Sequence, residues 1–212
     1  MKTILLSGLI IYLITLLINI IGTYVYYKKS LKLPIKTLFY YLIFLLIFQI
    51  ITTVLTSFSI NNLILSHAYF IIQCFILAYF FNQIINVVKV TRIIKVYALS
   101  TLSFLLIQYL LFPNLIWSFN IAEVFITNYL GILLSLFYFY ENLGKKKEYQ
   151  PFVIGVIIYS TLSTSIFLFG NVASYINIKS AAYIWGAHLL ILIFFQLLIT
   201  FQWLSKLKYR IS

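Results

Sequence analysis

The sequence contains no aspartate, and its only acids are Glu123, Glu141 and Glu148. It has two histidines, His67 and His188, and a single cysteine, Cys74. Each shortage excludes something. One cysteine forms neither an intrachain disulfide framework nor a Cys-based metal site. Charged residues make up 8% of the chain, where a soluble domain carries about 25%. A water-soluble chain this poor in charge would have no surface to offer the solvent.

What is there points to the bilayer. Of the 212 residues, 64% are hydrophobic, and the mean hydropathy is +1.08. A span needs about 20 mostly apolar residues. Runs of that kind fall at 4–27, 37–58, 67–88, 96–113, 120–141, 152–170 and 181–203. The connections are short, so neighbouring helices run antiparallel. The expected fold is all-α: one transmembrane bundle of seven spans over 1–212. The first run is too long for the apolar core of a signal peptide, so it reads as a retained span.

A net charge of +12 taken alone would suggest nucleic acid. Its distribution excludes that reading. Lys28, Lys29, Lys32 and Lys36 follow the first run, and Lys89, Arg92 and Lys95 follow the third. Lys145, Lys146 and Lys147 follow the fifth, and Lys206, Lys208 and Arg210 follow the seventh. Thirteen of the fifteen basic residues thus share one side, and only Lys2 and Lys179 fall on the other. Basic loops stay cytoplasmic. The N-terminus is therefore expected outside and the C-terminus in the cytoplasm, in a bacterial inner membrane. A missed span would break this alternation.

Local punctuation adds boundaries. Ser66 is placed to cap the third span, and Asn120 the fifth. Pro113-Asn114 closes the fourth, and Gly144 the fifth. Pro151 suits the first turn of the sixth, and Gly170-Asn171 closes it. Glu141 and Glu148 flank Lys145 to Lys147 and read as their solvated partners.

Polar residues inside spans are costly and face the bundle interior. At 100° per residue, His67, Cys74, Ala78 and Asn82 share one face of the third span. Glu123, Thr127, Asn128, Gly131 and Ser135 share one of the fifth. Trp185, His188, Gln196 and Thr200 share one of the seventh. If these three spans are neighbours, His67, Glu123 and His188 meet in an outward pocket. Asn61, Asn62, Trp117 and Asn120 would line its mouth, and Trp185 one wall. Asn82, Asn128 and Gln196 would form a polar track below. A plainer reading stands beside it. Asn120-Ile-Ala-Glu123 has the spacing of a capping box, which accounts for Glu123 without a ligand. No two histidines, and no Glu/His pair, lie one turn apart on a helix, so the spacing gives no metal site. The Ser/Thr-rich stretch Ser160 to Ser165 contains no acid or histidine and reads as close helix packing.

Several seven-span families are excluded by their own residues. Microbial rhodopsins carry a retinal lysine in the middle of the seventh span, where this chain has none. Ceramidase-like hydrolases need three histidines and an aspartate. Ser59-Ile-Asn-Asn62 through Tyr79-Phe-Phe81, Glu123 through Tyr138-Phe-Tyr140, and Pro151-Phe-Val-Ile-Gly155 through Tyr159 remain. Across most of its length the chain resembles a group of short, uncharacterised multi-span membrane proteins of Bacteroidetes. The resemblance implies the architecture and no activity. The plan also resembles the seven-span module of bacterial membrane receptors. The expectation is a non-enzymatic, sensor-like or accessory membrane module acting through a membrane partner or as a homo-oligomer. A small-molecule transporter or channel is the second reading, and a metal-assisted enzyme the third. No catalytic set and no cofactor emerges. The topology is checked by reporter fusions. Green fluorescent protein fused after Lys208 fluoresces if that end is cytoplasmic. Alkaline phosphatase inserted beside Asn62 is active if that loop is outside. The reverse pattern would invert the orientation.

Overall fold

The computed structural model describes residues 2–60, 62–85, 87–144, 148–176 and 178–208. Seven helices account for them: α1 (Lys2–Ser30), α2 (Leu33–Ser57), α3 (Leu63–Ile84), α4 (Val88–Leu111), α5 (Ile121–Glu141), α6 (Gln150–Ile176) and α7 (Ile178–Lys208). All seven are long and apolar enough to cross a membrane, and no strand occurs among the described residues.

Local chemistry sets the helix ends. Leu31 takes a left-handed φ of 52°, which turns the chain into α2, where Pro34 occupies the first turn. At the far end of α2, Ser59 has φ 57°. Its N–H donates to Thr56 O at 3.0 Å, and that of Ile60 donates to Leu55 O at 2.9 Å. These are the two bonds of a Schellman cap, built without glycine. Pro113 opens a single 3₁₀ turn, Pro113–Trp117, and ends α4 two residues earlier, because the residue before a proline avoids helical geometry.

Several boundaries differ from the sequence expectation. α3 begins at Leu63, so Ser66 lies inside its first turn, where its hydroxyl donates to Leu63 O at 2.6 Å instead of capping. α4 begins at Val88. Lys89, Arg92 and Lys95 are therefore helical, and the fourth helix is not short. Gly170-Asn171 does not end α6, which runs on to Ile176. A lone helical glycine costs only about 1 kcal/mol against alanine, and no proline follows. Gly144 takes φ 73° but lies two residues beyond the Asn142 cap of α5. Glu148 bonds Lys32 Nζ at 2.5 Å and so ties the α5–α6 connection to the α1–α2 turn. Lys145 to Lys147 lie outside the described residues. Both partners are partly exposed, so this bond contributes at most about 1 kcal/mol.

The packing order is not the chain order. α1, α2, α3, α5, α6 and α7 follow one another around a ring, and α7 returns to α1. α4 stands outside, against α3 and α5. Backbones on opposite sides of the ring do not touch, so large rings fill the middle. Tyr41 of α2 meets Phe152 of α6 at 6.4 Å and Phe195 of α7 at 6.3 Å between ring centroids. Phe80 of α3 meets Phe152 at 4.7 Å. Tyr159 stacks on Phe195 at 5.3 Å. All of these side chains are buried. Edge-on and offset contacts of this kind add about 0.5–1.5 kcal/mol per pair beyond burial.

The seam that closes the ring is α1 on α7. Asn19 Nδ2 donates to Gln196 Oε1 at 2.8 Å, and Asn19 Oδ1 accepts from Thr200 at 2.8 Å and from Trp203 Nε1 at 2.9 Å. Gly22 lets the Trp203 ring lie against α1. A Cβ there would overlap the Trp203 ring, and Asn19 keeps the indole from swinging away. Gly22→Ala is expected to destabilise the protein by about 1–3 kcal/mol, read from SDS unfolding in micelles. Gly186→Ala is the control, since its Cβ meets Leu5 Cδ2 at an ordinary 3.6 Å. Equal effects would contradict the described seam.

Candidate functional site

Two polar features lie at the end of the bundle away from Lys28, Lys32, Arg92, Lys95 and Lys206, the lysine-poor end. The first is a buried cluster between α3, α4 and α5. Asn120 caps α5, its side chain accepting from Glu123 N at 3.2 Å. The Glu123 carboxylate is fully buried and does not turn back to Asn120 as a capping box would. One oxygen instead meets His67 Nδ1 at 2.9 Å and accepts from the Tyr109 hydroxyl. A carboxylate only accepts, so an ionised Glu123 places the imidazole proton on Nδ1. Two donors and the positive end of α5 face the carboxylate. The other carboxylate oxygen and His67 Nε2 are buried without a partner among the described residues.

The same cluster fastens α4 to the ring. Asn120 Nδ2 donates to Gln108 Oε1 at 2.9 Å and to Tyr109 Oη at 3.3 Å. Further along α4, Tyr97 donates to Ile126 O at 2.9 Å. Gln108 and Tyr109 are not among the site residues expected from the sequence. Tyrosine is too frequent here, at 18 residues, to stand out by composition. The Gln108-Tyr109 pair one proline turn before Asn120 was the available signal.

The second feature is a cavity of about 430 Å³ inside the ring. Gln49 and Thr52 of α2 and Ser66 of α3 give it a polar side. Phe167 of α6, with Trp185 and His188 of α7, gives it an aromatic side. Asn62 and Phe119, both in connections between helices, line it as well. Tyr12, Leu45, Tyr69 and Leu192 also line it, and the Tyr69 hydroxyl meets that of Tyr159 at 2.8 Å. Beyond them the Tyr41, Phe152 and Phe195 rings close the interior.

The structure brings His67 and Glu123 together but does not bring His188 to them. α3 packs on α5, whereas α7 packs on α6 and α1. His188 lines the cavity, where its Nε2 is 3.4 Å from Ser163 Oγ. Asn62 and Trp185 also line the cavity, while Asn120 is buried as a cap. Trp117 is exposed, and Asn61 lies outside the described residues. The polar track separates as well. Asn128 donates to Thr164 at 3.0 Å between α5 and α6, and Gln196 belongs to the α1–α7 seam. Asn82 has a buried Oδ1 without a partner among the described residues. No group of three or more His, Cys or Glu side chains positioned to hold a metal occurs among the described residues.

Fold and cavity together define the class as a multi-span helical bundle with an internal pocket near one end. Compared with known proteins, the chain matches no family model, no curated protein and no solved structure.

Asn120→Ala is expected to cost about 1–2 kcal/mol, from the lost cap and the lost bonds to Gln108 and Tyr109. Glu123→Ala is expected to cost about 3 kcal/mol, because it strands His67 and Tyr109 in the interior. Thermal unfolding in one detergent compares them. Equal costs would reduce Glu123 to a part of the cap.

Proposed function

We propose that the protein is a non-enzymatic membrane module that takes up a small ligand in the ring cavity and relays its presence to a membrane partner. The observation that carries this reading is a cavity near the lysine-poor end, with the buried Tyr41, Phe152 and Phe195 rings between it and the basic end. A volume of about 430 Å³ lies within the range of small-molecule sites, about 300–1,000 Å³. The closed floor favours reception over conduction. A channel or carrier needs polar groups that continue across the bundle, and Asn82, Asn128 and Gln196 serve three different places. The lysine pattern favours a bacterial inner membrane with the cavity facing outward. The basic end would then meet anionic lipid heads. The partner is a second membrane protein or another copy of the chain.

The test is native mass spectrometry of the protein drawn directly from membranes into lipid nanodiscs. The wild type is expected to retain one small molecule per chain. Ser66→Trp, which places an indole in the cavity, is expected to lose it. Ser100→Trp, on the exposed side of α4, is expected to keep it. Equal retention by wild type and Ser66→Trp would contradict a ligand in the cavity.

A further inference from the structure

The cavity walls also restrict what can enter. Among the described residues, no Lys, Arg or Glu lines the cavity. A charged ligand would lose its hydration there and gain no counter-charge, which is strongly unfavourable at membrane depth. Such walls favour a ligand whose buried part is neutral.

The aromatic side has a definite geometry. Phe167 stands edge-on to Trp185, at 5.8 Å and 73°, and to His188, at 5.2 Å and 61°. Phe119 lies at 5.6 Å from Phe167 and tilts by only 35°. Rings set edge to face leave π-faces and ring edges on the cavity side, and another planar ring complements both. A flexible acyl chain would use only their area.

The polar side supplies acceptors. Thr52 Oγ1 gives its proton to Phe48 O at 2.5 Å, and Ser66 Oγ gives its own to Leu63 O. Gln49 Nε2 donates to Thr53 at 3.2 Å, so its amide oxygen remains to accept. Across the cavity, His188 Nε2 lies 3.4 Å from Ser163 Oγ, and among the described residues its second ring nitrogen has no hydrogen bond. An imidazole nitrogen donates or accepts according to its tautomer.

We infer that the cavity takes an uncharged, planar aromatic ring bearing hydroxyl or carbonyl groups. The ring lies against Phe167 and Trp185, and its polar substituents reach His188 on one side and Gln49, Thr52 or Ser66 on the other. This inference rests on the cavity being the ligand site, and the experiment separates the two.

Three probes share one bicyclic skeleton: 2-naphthol, its saturated analogue decahydro-2-naphthol, and the anion 2-naphthoate. Binding to the full-length protein in nanodiscs is measured by equilibrium dialysis, with empty nanodiscs subtracted for partition into lipid. The expected result is one 2-naphthol site per chain, with the saturated alcohol and the carboxylate each at least tenfold weaker. His188→Leu is expected to weaken 2-naphthol binding about fivefold or more, and Phe167→Leu to remove the preference for the aromatic probe. Binding of the saturated alcohol as tight as that of 2-naphthol would overturn the ring requirement. Equal binding of 2-naphthoate would overturn neutrality. If no probe binds, yet the molecule retained from membranes is lost in Ser66→Trp, the ligand class is wrong and the cavity reading stands. If Ser66→Trp binds 2-naphthol as the wild type does, both fail.

Discussion

Six helices arranged in a ring enclose a space that their backbones cannot close, and this constraint governs the rest of the structure. Lipid is as apolar as the helix surfaces, so burying apolar area gives little drive for helices to meet inside a membrane. Contact has to come from shape and from polar bonds. In this ring the shape is supplied by side chains long enough to reach across it: Tyr41, Phe80, Phe152, Tyr159 and Phe195. Where these rings stand, the interior is solid. Towards the lysine-poor end the interior opens into the cavity, among Tyr12, Tyr69, Phe167 and His188.

Polar bonds then fix what shape leaves loose. Asn19 holds Gln196, Thr200 and Trp203 across the α1–α7 seam. Gln73 Nε2 donates to Tyr41 Oη at 3.1 Å and so orients a central ring from α3. The Glu123 cluster does the same for α4, the helix that takes no part in the ring. Each of these groups is in the interior because leaving it towards lipid would cost more than pairing it. The buried Glu123 carboxylate is thus sufficiently explained by architecture. The His188 side chain, facing a cavity among aromatic neighbours, is less so.

Much of the fold was legible in the residues, for a simple reason. Span length and hydropathy are properties of one helix at a time, and a bilayer imposes them on every span. The inward face of α5 was equally local, and Glu123, Thr127, Asn128, Gly131 and Ser135 are all buried. The order of helices around the ring was not legible, because it depends on pairs. His67 and Glu123 meet because α3 packs on α5. His188 stays apart because α7 turns to α1 and α6. Nothing in the spacing of three single residues on three helices separates these outcomes. The aromatic filling was hidden for another reason. In a chain with 20 Phe and 18 Tyr, the few rings that reach the centre look like the many that face lipid.

The ring is closed by α7 against α1, and an open ring would have neither floor nor cavity. Paired cysteines test this most directly. A Cβ on Gly8 would lie 2.6 Å from Leu189 Cδ2, so Gly8→Cys with Leu189→Cys, made in a Cys74→Ser background, places two thiols across the seam. Oxidation in native membranes, or a short bis-thiol cross-linker, should join them efficiently and shift the protein's mobility on a denaturing gel after cleavage between α1 and α7. The same treatment of Gly8→Cys with Leu106→Cys, on the outer face of α4, should join nothing. If the α4 pair cross-links within one chain and the α1–α7 pair does not, the six-helix ring and the cavity inside it are wrong.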